Sequence, residues 1–264
     1  MKYSLRSIQV LSLFIPVTAF MLFASGCRYL HCIEGNEMVV TENRPAGNFS
    51  GIVSEGSFKV YIIQDSVNEI TVEAESNLLP YIDTWIKGST LILKEQDNRC
   101  LNNHYPMVIT VRTMAIGFVK LSGSGDIYGN NTFATDYLRV ELSGSGLIDV
   151  AAEASNVETY LSGSGLIRLG IRGDHLISEI TGSGEMDLSG DVHKGDLTIT
   201  GSGNINAYGL SQDICFATIT GSGNMFVTVM DILDVKITGS GSVHYKGNPD
   251  VNLNITGSGT VIHE

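Results

Sequence analysis

The sequence predicts an all-β chain whose body is a parallel β-solenoid (a β-helix) with coils of about 18–21 residues and irregular capping coils at its N-terminal side. Three observations predict it. The tetrapeptide Ser/Thr-Gly-Ser-Gly starts at Ser122, Ser143, Ser162, Thr181, Thr200, Thr220, Thr238 and Thr256, at spacings of 21, 19, 19, 19, 20, 18 and 18 residues. The residue before each copy is apolar (Leu121, Leu142, Leu161, Ile180, Ile199, Ile219, Ile237, Ile255), as is the second residue after it (Ile127, Ile148, Ile167, Met186, Ile205, Met225, Val243, Val261). The composition, with 30 Gly and only 5 Pro among many β-branched residues, fits strands joined by tight corners.

The first element is a signal. Lys2 and Arg6 precede a nearly unbroken apolar stretch from Leu11 to Phe23, and Ala24-Ser25-Gly26 then lead to Cys27. A basic start, a short apolar run and small residues mark a secretory signal over residues 1–26. A Cys placed directly after Ala-Ser-Gly resembles a bacterial lipobox, which implies cleavage before Cys27 and a lipid on its thiol. The alternative is a retained membrane anchor, although the basic cluster that would stop transfer is weak. The chain is thus expected to be exported and lipid-anchored in the cell envelope, outer membrane included. Its membrane contact would come from the lipid, because the charge is −12, and −14 once Lys2 and Arg6 are removed. That acidity also argues against nucleic acid, whose binders carry a basic footprint.

Residues 27–43 read as a linker and 44–117 as an irregular β region. In the latter, Phe58–Ile62, Glu69–Ala74, Thr90–Lys94 and Met107–Val111 alternate apolar with polar residues, and Leu79–Trp85 leaves room for a short helix or turn. Residues 118–264 form the repeat array. Each unit there reads as strand, Gly-Ser-Gly corner, second strand and looser return. One unit cannot bury its own apolar face, but stacked units can. The stacking should align Gly with Gly and lay the corner serines into a hydroxyl ladder. At roughly 4.8 Å per coil, eight coils make a rod about 40 Å long. The end near Glu264 shows no capping pattern. Either a short last strand and Glu264 blunt that edge, or it pairs with a second copy and makes a homo-oligomer.

Of the four cysteines, Cys32 and Cys100 sit in loop-like sequence and are expected to pair in an exported protein. Cys215 falls in an apolar row and reads as a buried thiol. No Cys-x-x-Cys or His-rich cluster suggests a metal, and no cofactor is implied.

Candidate functional residues were sought among positions that vary between repeats. Phosphate-loop chemistry needs a Lys and a following helix, both missing here. Ser nucleophiles need a His and a carboxylate brought together, but the six His fall at unrelated repeat positions. Arg172-Gly173-Asp174 is an integrin-type tripeptide that a plain glycine turn explains equally well. Asp149, Arg168 and Asp187 occupy one repeat position in three consecutive coils, as either a clustered polysaccharide-cleaving site or an ion ladder. Tyr128, Tyr160 and Phe226 stand in outward rows, where aromatics stack on sugars or anchor a partner. These six residues make up the candidate binding face.

The strand segments and the repeats together resemble the auto-transporter adhesin family with a head GIN domain. The resemblance is carried by Phe49-Ser50-Gly51-Ile52, Gly56-Ser57-Phe58-Lys59-Val60-Tyr61-Ile62, Asn77-Leu78-Leu79-Pro80-Tyr81-Ile82, Gly88-Ser89-Thr90-Leu91-Ile92-Leu93 and the repeats, Gly203-Asn204-Ile205-Asn206 among them. It spans about residues 44 to 264. It implies a secreted or lipid-anchored β-solenoid and carries no established activity with it. A Cys27 lipid departs from the family name, since an auto-transporter brings its own membrane barrel. The roughly ten-residue alternating barrel strands are not visible in this sequence. The expected function is therefore a non-enzymatic envelope adhesin that binds a glycan or a surface protein. The alternatives are an envelope scaffold without a ligand and a polysaccharide lyase or hydrolase of β-helix type.

Overall fold

A computed structural model describes residues 32–97 and 99–264; the signal segment and Cys27 lie outside the described residues. The solenoid is built from two columns of parallel strands joined at the Gly-Ser-Gly corner. In the first column Phe118–Gly123, Tyr137–Gly144 and Asn156–Gly163 stack in register, Gly123 beside Gly144 beside Gly163. The series continues through Gly182, Gly201, Gly221, Gly239 and Gly257. In the second column Asp126–Ala134 and Leu147–Glu153 stack beneath the opening halves of the long strands Leu166–Gly182, Glu185–Gly201, Asn204–Gly221 and Asn224–Gly239. Ser242–Lys246 and Thr260–His263 complete it.

Both apolar rows point inward. Leu121, Ile199, Ile219 and Ile237 in one row are fully buried, and so are Ile127, Ile167, Ile205 and Val243 in the other. Each such side chain contributes about 1.5–3 kcal/mol of apolar burial. Among the buried hydroxyls, Thr159 and Ser178 in adjacent layers satisfy each other, Thr159 donating across 2.8 Å. Leu253 and Ile255 hold the same row positions as the buried Val235 and Ile237, but on the last layer they are 55% and 38% exposed.

The corner uses its two glycines differently. The first has φ between 115° and 134° in all eight copies, a region that L side chains rarely adopt. The second is held by proximity: a Cβ on Gly146 would stand 2.1 Å from the Gly125 carbonyl oxygen. Between them the expected hydroxyl ladder does not form. The corner serines are exposed to competing water, and the ladder is made by their backbone amides. Ser164, Ser183 and Ser202 each donate N–H to the glycine carbonyl of the layer below at 2.9–3.0 Å.

The N-terminal region forms the expected irregular capping layers, stacked in an order that does not follow the chain. Thr90–Glu95 and Val108–Thr113 form one layer, and Gly51–Glu55 and Lys59–Gln64 form the next. The later segment thus lies outermost, and Phe118–Gly123 returns to stack on Gly51–Glu55. Antiparallel strands make this reversal possible. Ile82–Lys87 flanks Thr90–Glu95, while Glu69–Glu75 flanks Val108–Thr113 and carries Val39–Arg44 at its outer edge. Period-two alternation looks the same in parallel and antiparallel strands, so the pattern alone does not order these layers.

The linker expected over residues 27–43 is corrected from Ile33 onward. Ile33–Glu34 pairs with Leu101–Asn102, and Val39–Arg44 is an edge strand. Its side chains are nearly all exposed, so no inward apolar row betrayed it. A short 3-10 turn fills Leu79–Tyr81. A disulfide joins Cys32 to Cys100, and Cys215 is a buried free thiol whose pKa is raised by burial. Glu75 is fully buried in this cap. It accepts the backbone N–H of Glu37 at 2.6 Å and of His104 at 2.8 Å.

Candidate functional site

The register gathers five of the six candidate residues into one outward row of the second column: Tyr128, Asp149, Arg168, Asp187 and Phe226, with Tyr61 below and His244 above. Within it Arg168 lies between two carboxylates, 3.9 Å from Asp149 and 3.5 Å from Asp187. Asn206 donates to Asp187 at 2.9 Å. The carboxylates are thus engaged by neighbours within the row, the arrangement of an ion ladder. The aromatics are engaged too. Tyr128 stacks on Tyr61 with centroids 5.4 Å apart. Phe226 has the edge of Tyr208 at 5.5 Å and the ring of His244 at 5.0 Å. Burial and the nearby Asp126 and Asp149 carboxylates raise the Tyr128 pKa.

Tyr160 stands apart, in an outward row of the first column that holds Lys120, Glu141 and Glu179. The Arg139 guanidinium covers its ring at 4.3 Å. Its hydroxyl donates to Glu158 at 3.0 Å. Arg139 also meets Glu141 at 2.7 Å and Glu158 at 2.9 Å, and Lys120 meets Glu141 at 3.0 Å. Burial works against ionisation of Glu141, but Lys120 and Arg139 outweigh it and hold its pKa low. All three candidate aromatics therefore have a ring face occupied by a neighbour: Tyr128 and Phe226 by the residue at the same position of an adjacent layer, about one strand spacing away, and Tyr160 by Arg139 two residues off that position.

A different surface was missed by sequence reasoning. Near the cap, the first column carries a shallow groove of about 420 Å³ lined by Val53, Thr90, Ile92 and Phe118 together with Glu55, Lys87 and Lys120. Across the antiparallel pair, Trp85 lies directly opposite Ile92 on the same face. Trp85 is 42% exposed and has no aromatic, cationic or hydrogen-bonding partner among the described residues. The available signal was the single Trp of the chain, placed in the alternating segment Asp83-Thr84-Trp85-Ile86-Lys87.

The other motifs resolve as structure. In Arg172-Gly173-Asp174, a Cβ on Gly173 would stand 2.0 Å from the Ala154 carbonyl oxygen, and Arg172 pairs with Glu153 at 3.1 Å. Among the described residues no three His, Cys, Asp or Glu side chains are placed to hold a metal, and no helix is long and apolar enough to cross a membrane.

With this geometry in place, the sequence matches the family described as "Putative auto-transporter adhesin, head GIN domain" over residues 48–170 and 152–249. The chain belongs to that family. Solved structures agree over most of the chain. A "putative adhesin" of Parabacteroides merdae is 25% identical with a TM-score of 0.84, covering 88% of this chain and 98% of its own. A "Putative lipid binding protein" of Parabacteroides distasonis is 26% identical with the same TM-score, covering 88% and 99%. A "putative adhesin" of Bacteroides fragilis, 23% identical with a TM-score of 0.69, shares the fold, covering 88% and 100%. A comparison with curated proteins finds no match.

Proposed function

We propose that this member of the adhesin family is an exported envelope lipoprotein, held by a lipid on Cys27, that binds a glycan or surface protein without turning it over. One observation carries the reading. The inward rows and corners repeat from layer to layer, so they account for the rod, while the outward positions vary and are free to recognise something. The polysaccharide-cleaving alternative is weakened by Asp149 and Asp187, which flank Arg168 rather than a cleft, whereas glycosidase carboxylates face each other across the scissile bond. A ligand-free envelope scaffold is the remaining alternative. Self-association belongs to the same proposal: Leu253 and Ile255, exposed on the last described layer, would pack against a second copy.

A glycan array read together with an assay for new reducing or unsaturated ends tests this. Binding without turnover is expected; turnover would make the protein an enzyme, and silence in both would leave the scaffold. In parallel, Cys27→Ala should move the protein out of the membrane fraction.

A further inference from the structure

Aromatic rings on this rod fall into two kinds. Tyr128, Tyr160 and Phe226 each have a face covered by a neighbouring layer, whereas the Trp85 indole is exposed and unpartnered. Trp85 also lies directly across the strand pair from Ile92, which lines a depression that the sequence builds. Gly51 lies beneath it between Thr90 and Phe118, and a Cβ there would meet the Thr90 Oγ1 at 3.1 Å and the Phe118 ring at 3.4 Å. Val53 and Ile92 add an apolar strip leading toward Trp85.

The charges around this depression differ from those of the chain as a whole. The protein is strongly acidic, yet Lys87 and Lys120 line the depression. Lys120 is held by Glu141, but Lys87 is exposed and has no ion-pair partner among the described residues. The groove's own carboxylate, Glu55, faces Lys94 at 3.5 Å, and Lys94 also meets Asp97 at 2.9 Å. An unopposed ammonium beside an open aromatic face and a shallow apolar strip suits a ligand with a flat apolar side and a negative group. A pyranose ring bearing a carboxylate or sulfate has both, and its axial C–H face stacks on an indole while its anion meets an ammonium.

We propose that the groove over Gly51, Val53 and Ile92 binds an acidic saccharide, one ring stacking on Trp85 and its anionic group meeting Lys87, with Lys120 farther along the groove. This rests on the glycan-binding reading above and names its place and its ligand class. The negative field of the rest of the chain disfavours an acidic saccharide over most of its surface.

Because Trp85 is the single Trp, its emission reports the site directly. The purified full chain is first screened on an array of carboxylated, sulfated and neutral glycans. The best acidic binder is then titrated by calorimetry and by Trp fluorescence, with its neutral methyl ester or desulfated form as control. The expected result is a change in Trp85 emission that saturates with binding. Trp85→Ala should lose at least about tenfold in affinity, as buried aromatic anchors do. Lys87→Gln should lose about three- to tenfold and flatten the salt dependence. Both residues are exposed, so the variants should melt as the wild type does. Binding that leaves Trp85 emission and both variants unchanged would overturn the groove while leaving an adhesin that binds elsewhere. Equal affinity for the neutral control would overturn the acidic specificity. No binding to any glycan would remove the glycan reading and the groove together.

Discussion

The repeat body and the N-terminal cap share the same strand columns but are held in different ways. In the body, every layer uses the same corner and the same two inward rows, so each layer supports its neighbours through identical contacts. The cap is built from contacts that occur once: the Cys32–Cys100 disulfide, the buried Glu75 carboxylate and the antiparallel strands that reverse the stacking order. The difference teaches that repetition gives the rod its length, while singular contacts close its end and shape the surface around Trp85.

The largest effect should fall on the cap. The disulfide closes a loop with a sequence separation of 68, and removing it with Cys32→Ser/Cys100→Ser should cost about 4 kcal/mol on loop-entropy grounds. Hydrogen exchange should place the loss in Val39–Arg44 and Glu69–Glu75 and leave the strands beyond Leu166 protected. A uniform loss along the rod would erase the distinction between cap and body.

The next effect belongs to the body. Gly201 has φ 127°, and a Cβ there would stand 2.4 Å from the Gly182 carbonyl oxygen. Gly201→Val should therefore destabilise the protein by about 3 kcal/mol, combining backbone strain with crowding. Thermal melting checks this, and an unchanged curve would mean that the corners are not tightly stacked.

The smallest effect depends on pH. Burial opposes ionisation of Glu75, but the amides of Glu37 and His104 outweigh it and hold its pKa below the ordinary 4.5. A carboxylate with a depressed folded pKa contributes stability above about pH 4.5, and that stability is lost as pH falls through the lower folded value. The cap should loosen over that window. Glu75→Gln should be less stable than wild type near neutral pH and should converge on it in acid, as followed by melting across pH 2–7. Parallel curves for the two proteins would mean that Glu75 does not staple the cap.

The same comparison governs what the sequence made legible. The columns, the corners and both apolar rows could be read directly, because Leu121 to Ile255 and Ile127 to Val261 repeat one chemical requirement eight times. The cap was legible as irregular capping coils, but the order of its layers and the direction of its flanking strands were not. Alternation in Glu69–Glu75 or Ile82–Lys87 does not say which neighbour a strand will choose or in which direction it will run. Val39–Arg44 showed nothing at all, since an exposed edge strand needs only its main chain. Among candidate residues, equal repeat positions correctly brought Asp149, Arg168 and Asp187 side by side. The same rule also stacks rings on their neighbours, a consequence not drawn for Tyr128 or Phe226. Trp85 was passed over because it lies outside the repeats, where the eye for periodicity finds nothing.

The disulfide has a further, mechanical consequence. A pull on the chain at Cys32 crosses to Cys100 through one covalent link, between Cα atoms 4.4 Å apart. The chain between them, which includes the edge strand Val39–Arg44, the outermost antiparallel strands and Trp85, is bypassed by the tension. Load passes straight into Leu101–Asn102 and on to the strand Val108–Thr113 within the columns. Tension applied at Cys32 would therefore reach the columns without peeling open the cap strands.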